Sequence, residues 1–338
     1  MERRKITSQG KYSLVITLPK EWVRMNNLGS GDSVSIRVRG DGSLVVHPSL
    51  DVKERPREVS LFFRADEEPN SIIRSVIGCY LNGYNTIRLT SGRNFTVEQQ
   101  AAIRSVVRSL YMRILESTAR RVILQTFMDE SLASVVSGIE RMHIITNSMC
   151  KDVLKSMREW DDGLAKSVLS LEEDVDQFMY FLIRLTRSAV MSPSLASGLG
   201  ITMSDCFDYH LLINRIEYVA DHAASIAQKI ITLKERQMDM PERFFASIIR
   251  AAEKTFASYD LAVEAFLSGN MEHTNEIIDE RDEVERLEEE ISPLPYYGEH
   301  EKTITYHLFS IIDSIKRISE YAGDIAEITI DRHFMPGE

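Results

Sequence analysis

The sequence predicts a multidomain fold: a small β-rich N-terminal unit, a βαβαβ middle module, and an all-α region of two tandem three-helix bundles. Three observations carry this. An alternating β-branched run near the N-terminus stops at a proline, strand and helix patterns then alternate, and from Asp129 the periodicity stays helical to the end and repeats itself.

The first observation sits in "GKYSLVITLPKEWV" (10–23), where Leu14–Leu18 meet Pro19. Proline donates no ladder hydrogen bond but suits the first turn of a helix, so a helix should start near Pro19 and run to about Met25. "NNLGSGD" (26–32) stops it. "SVSIRVR" (33–39), the turn "GDGS" (40–43) and "LVVHP" (44–48) then read as a hairpin, which completes a unit of residues 1–50. The polar "DVKERPRE" (51–58) reads as a linker.

In 58–129 strands are expected at 59–64, 85–91 and 120–128, with helices at 69–84 and 96–118, the second opening on a cap-like Thr96. No Gly-rich phosphate loop and no nucleophile motif is present, so this module reads as a spacer or dimerisation element. Beyond it, helices are expected at about 130–159, 162–190, 203–237, 242–268, 271–291 and 302–332, punctuated by "SPSLASGLG" (192–200), "DMPER" (239–243) and "SPLPYYGEH" (292–300). "VLSLEEDVDQF" (168–178) aligns with "IIDERDEVERL" (277–287), and "EYVADHAASIA" (217–227) with "EYAGDIAEITI" (320–330). Two three-helix bundles follow, at 130–237 and 242–334.

Composition bounds the function. No apolar run among the 338 residues is long enough to span a bilayer, and the N-terminus lacks a signal-peptide core, which points to a cytoplasmic protein without membrane insertion. Cys79, Cys150 and Cys206 lie far apart, without metal-type spacing. Net charge is −11, yet residues 1–50 hold eight Lys/Arg against four acids. A basic domain on an acidic body suggests two kinds of partner.

Within the helical repeat an acid-x-x-x-acid pattern recurs: Glu172 with Asp176, Glu217 with Asp221, Glu320 with Asp324. Four residues place each pair on one helix face, one turn apart, where like charges destabilise by a few tenths of a kcal/mol. A lone pair of this kind in an acidic protein is most often solvated surface. Recurrence at matching places invites a compensating cation, and oxygen-rich sites suit iron, manganese, magnesium or zinc. Arg281 stands where Glu172 would repeat, with Asp282 and Glu285 beside it, so the second bundle is the weaker candidate. His222 and His210 lie on the helix that carries Glu217.

Residues 3–48 resemble the AbrB/SpoVT family of swapped-hairpin transcription regulators, through the basic first strand, Gly10-Lys11, the "LPKEWV" step, the "GD" before a strand and the final hairpin. The resemblance implies a DNA-binding homodimer with interlaced strands. Its cationic surface would comprise Arg3, Arg4, Lys5 and Lys11 on the first strand and loop, then Lys20 and Arg24 on the helix. Residues 130–335 resemble the PhoU family of phosphate-uptake regulators. That implies a multinuclear cluster of divalent or trivalent metal, iron first, on Glu172, Asp176, Glu217, Asp221, Glu320 and Asp324, with Asp282 and Glu285 as neighbours. The two segments on one chain look like an archaeal type of phosphate uptake regulator. A transporter ATPase or a sensor kinase is then an alternative partner, with the AbrB-like segment only dimerising. No nucleophile–base pair stands out, and no enzymatic activity is expected.

Overall fold

The computed structural model describes residues 3–10, 12–38, 42–48, 56–128, 130, 133–236, 242–280, 286 and 299–335. Contacts divide the chain into two units between residues 56 and 57.

In the N-terminal unit, β1 (Thr7–Gln9) pairs antiparallel with β2 (Ser13–Val15), and β3 (Ser35–Val38) with β4 (Leu44–His47). Helix α1 (Lys20–Met25) begins directly after Pro19, whose carbonyl accepts from Val23 N at 3.0 Å. The β2 ladder is shorter than the apolar run suggests: Ile16–Leu18 stay outside it. No α1 residue is buried, and Ile6, Leu14, Ile16, Ile36, Val38 and Leu44 are all more than half exposed. These strands alternate without a core of their own to face.

The middle module comprises β5 (Glu58–Phe63), α2 (Pro69–Leu81), β6 (Thr86–Ser91), α3 (Val97–Ser109), β7 (Met112–Ser117) and β8 (Arg121–Thr126). Strand order is β5-β6-β8-β7, with β5 and β6 parallel and the other two pairs antiparallel. Ile72, Val76 and Tyr80 of α2 and Ile103, Val106 and Val107 of α3 pack with Ile87, Leu89, Val122 and Leu124 in one apolar cluster. Thr96 caps α3 with a reciprocal box, accepting from Gln99 N at 3.2 Å while Gln99 Oε1 accepts from Thr96 N at 3.0 Å. One expectation is corrected here. The helix read over 96–118 ends at Ser109, and Met112–Ser117 form a fourth strand. Tyr111, at φ 48°, takes the left-handed conformation that ends the helix, and Met112–Ser117 then pair antiparallel with β8.

The helical region follows the expected punctuation. Helices α4 (Val135–Glu159), α5 (Asp162–Met191) and α7 (Met203–Glu235) form the first bundle, with a short α6 (Pro193–Leu199) inside the loop expected at 192–200. The second bundle contains α8 (Glu242–Ser268), α9 (Thr274–Asp279) and α10 (Glu299–His333). Most of the helix expected at 271–291 beyond α9 lies outside the described residues. Starts are capped by side chains: Ser134 for α4, Asp161 for α5, and a Thr202/Asp205 box for α7. One apolar cluster runs from Val135 to Ala326 through both bundles, so they share a core. Between α4 and α8 a buried polar link crosses it, His143 meeting Tyr259 Oη at 3.2 Å and Asp260 Oδ1 at 2.9 Å.

One fully buried side chain links the sheet module to this core. Arg184 of α5, 1% exposed, binds Glu130 Oε1 at 2.6 Å and donates to the carbonyls of Tyr80 and Tyr84 at 2.6 and 2.9 Å. Its guanidinium lies 4.8 Å from the Tyr80 ring centroid. Tyr80 is in the last turn of α2 and Tyr84 in the turn that follows it, so the guanidinium reads the end of that helix. Arg184→Met is expected to cost about 3–5 kcal/mol, the loss typical of breaking a buried ion pair, read by calorimetry as a lower melting midpoint. Arg184→Lys, which keeps the charge without the fork, should recover only part of it.

Candidate functional site: carboxylates on the seam of two helices

Helices α5 and α7 pack side by side, and the acid pairs lie along their seam. Val175 beside Asp176 is buried, as are Ile216, Val219 and Ala220 around Glu217. Each apolar stripe thus turns into the core and leaves its acids at the rim. Glu172, Asp176 and Glu217 are half-buried there, while Asp221 is more exposed.

Their electrostatics show that they form one group. Burial, then Asp221, Asp176 and Glu172, push Glu217 up to about 8. Burial, then Glu172 and Asp221, push Asp176 up to about 7. Glu172 is raised by burial and by Asp221, and Asp221 by burial. Tyr180, one turn beyond Asp176, is raised by burial and feels all four carboxylates. Among the described residues no base neutralises this group by an ion pair. The donor set fits a hard or borderline cation, four carboxylates whose repulsion a cation would relieve. As placed, no three His, Cys, Asp or Glu among the described residues converge into a ready cage.

The other expected ligands stand elsewhere. Glu320 pairs with Arg317 and Asp324 with Arg215, both at 2.8 Å, so arginines neutralise the α10 pair. Asp282 and Glu285 lie outside the described residues. His222 faces the Tyr321 ring at 5.9 Å, with Asp313 and Asp221 among its charged neighbours, and burial holds its pKa down. His210 is likewise lowered by burial and feels Arg187 rather than the seam. Glu140-x-x-His143 carries the spacing that helical di-iron enzymes use, but His143 is committed to Tyr259 and Asp260. In the N-terminal unit Arg3, Arg4, Lys5, Lys20 and Arg24 are exposed, Arg4 reaching Thr17 Oγ1 at 3.5 Å, while Lys11 lies outside the described residues.

With this geometry in place, the comparisons with known proteins are specific. The family model described as the PhoU domain matches residues 139–230 and again 248–329, together just over half of the chain. The chain belongs to the PhoU family. The double match coincides with the two bundles and with the internal repeat. Residues 8–57 match a second model, described as "Antidote-toxin recognition MazE, bacterial antitoxin", so the AbrB-like reading of the N-terminal unit holds and extends past residue 48. The chain is similar to "Phosphate-specific transport system accessory protein PhoU homolog 2" of Thermotoga maritima, 23% identical over 211 residues, 61% of this chain and 87% of that protein. The solved PhoU of Pseudomonas aeruginosa superposes with a TM-score of 0.52 at 16% identity, over 58% of this chain and 93% of that one, and shares the fold. Neither PhoU match includes the sheet module. Among the described residues no helix is long and apolar enough to cross a membrane.

The raised carboxylates set a pH dependence for the metal-free chain. Between about pH 4 and pH 8 the native state holds protons that the unfolded state has lost, so stability falls as pH rises through that window. Glu217→Gln with Asp176→Asn should raise the melting midpoint at pH 8 and flatten that slope. A lower midpoint in thermal melts at pH 8 would show that the acids do not repel one another.

Proposed function

We propose that this PhoU-family chain is a non-enzymatic regulator of phosphate transport, in which a DNA-binding N-terminal homodimer carries bundles that hold metal on the α5–α7 seam. The observation that carries the reading is the double PhoU match, whose first stretch spans a seam of four partly buried, mutually repelling carboxylates. Glu172, Asp176, Glu217 and Asp221 would hold the ion, iron first among the candidates. A bound ion would neutralise the seam and offer phosphate oxygens a ligand position, where bare acids repel them.

The DNA half rests on chemistry and on incomplete burial. Exposed apolar residues on three of the four short strands of the N-terminal unit, with Ile6 and Ile16 beside them, call for a second copy to cover them. The exposed cations Arg3, Arg4, Lys5, Lys20 and Arg24 supply phosphate contacts that are salt-sensitive and indifferent to sequence. The name of the Thermotoga maritima relative, an accessory protein of a transport system, favours a second reading. In it the bundles dock on a transporter ATPase or sensor kinase, and the N-terminal unit only dimerises.

Gel retardation separates the two. The full chain should retard duplex DNA at low salt, and Arg3→Ala/Arg4→Ala/Lys5→Ala should abolish retardation while light scattering still reports a dimer. The slope of log affinity against log salt should flatten by roughly one unit for each phosphate-binding cation removed. A wild-type dimer that retards no DNA selects the adaptor reading. Elemental analysis of the purified chain and of Glu217→Gln/Asp176→Asn tests the metal, which the variant should lose.

A further inference from the structure

A cationic hollow lies where the sheet module meets the first bundle, well along α5 from the acidic seam. A cavity of about 270 Å³ is lined by Arg57, Asn82, Arg187, Ser188, Val190 and Met191. Arg57 and Asn82 also line an adjoining hollow of about 600 Å³ under α2. Neither lining contains a carboxylate, in a chain with 51 acids against 40 Lys and Arg. The bias is local: residues 57–128 hold ten arginines, no lysine and six acids.

The lining groups are held in position. Asn82, at the end of α2, donates through Nδ2 to Gly78 O at 2.7 Å, which leaves its Oδ1 to accept from Arg187 Nη2 at 2.8 Å. Arg187 has no carboxylate partner among the described residues, so most of its donors stay available. Ser188 Oγ makes no hydrogen bond among the described residues. Gly83, at φ 82°, supplies the left-handed turn after α2 and leaves open the space a side chain would fill. A Cβ there would stand 3.5 Å from Ser188 Oγ and 3.6 Å from Arg57 Nη1, so these two atoms lie within about 7 Å of each other. A hydroxyl and two guanidinium groups thus border one small hollow.

We propose that this hollow, lined by Arg57, Arg187 and Ser188, binds a phosphate group, either inorganic phosphate or the phosphate of a small monoester. Arginine forks match the spacing of phosphate oxygens, and a serine hydroxyl can donate to a third oxygen. The site lies between the module and the bundle, so an anion there would bridge elements that Arg184 already joins. The inference deepens the phosphate-regulator reading by naming where phosphate is sensed, and it needs neither metal nor DNA.

The test is calorimetric titration of the full-length, chelator-treated chain with inorganic phosphate and, separately, with adenosine monophosphate. One saturable site per chain is expected for at least one of them, and the tighter of the two identifies the source. Arg187→Ala should weaken it about tenfold, as expected for one charge-assisted hydrogen bond, and Ser188→Ala by less. Both side chains are on the surface of the joint, so thermal melts should match the wild type. Absence of saturable binding of either anion overturns the proposal, as does unchanged binding in Arg187→Ala. Neither result touches the DNA retardation or metal analysis, so failure here is distinct from failure of the broader reading.

Discussion

A buried guanidinium is costly unless its donors find acceptors, and Arg184 meets most of that demand by tying three segments together. Glu130 precedes the bundle, Tyr80 ends α2 with Tyr84 in the turn after it, and Arg184 belongs to α5. The module's covalent route to the bundle is the short stretch after β8, so this contact helps to fix how the sheet stands against the helices. Tyr111 adds an edge-to-face contact with Phe181 of α5 at 6.3 Å, but aromatic packing tolerates slippage that a three-acceptor fork does not.

The internal duplication has diverged in how it balances charge. In the first bundle Glu172, Asp176, Glu217 and Asp221 face one another across α5 and α7, and their protonation equilibria carry the strain. In the second, Glu320 and Asp324 repeat the α7 pair, yet Arg317 and Arg215 neutralise them. Arg317 aligns with Asn214 in the first repeat, and Arg281 with Glu172, so two of the changes convert a neutral or acidic place into a cation. A helix face that supplies its own cations has no need of a bound one. The asymmetry is therefore built into the sequence, and it makes the first bundle the place where metal and acid would meet.

Much of this was legible in the sequence because its signals are local. Pro19, the Thr96-to-Gln99 box and the turn residues at 192–200 act within a few residues, and α1, α3 and α6 begin or fall where they point. The repeat offsets located the seam acids because a helical face is a matter of spacing alone. What failed was competition between two periods. Residues 110–115 are rich in helix formers, but the left-handed Tyr111 and pairing with β8 select a strand, and pairing is a long-range contact that propensity does not encode. The same limit hid the partners of Glu320 and Asp324. Arg215 lies 109 residues before Asp324, and only the packing of α10 on α7 brings them together.

Helix α5 places all these features on one rod. Its 30 residues carry Glu172 and Asp176 near the middle, then Arg184, then Arg187 and Ser188 at the end. At 1.5 Å per residue, Asp176 and Arg187 are separated by roughly 16 Å along the axis. A straight helix transmits displacement over that distance but cannot by itself be a switch, since coupling needs an element with two arrangements. The joint around Arg184 is the natural candidate, because its remaining buried Nη2 and the Tyr80 hydroxyl both lack a partner among the described residues. Two unsatisfied polar atoms in a buried joint leave a desolvation cost that a rearranged packing could lower. An anion bound between Arg57 and Arg187 would pull on that same contact, while charge relief at the seam would act further along α5. On that proposal, the physical route from phosphate to the bundle surface would be the angle between one sheet module and one helix.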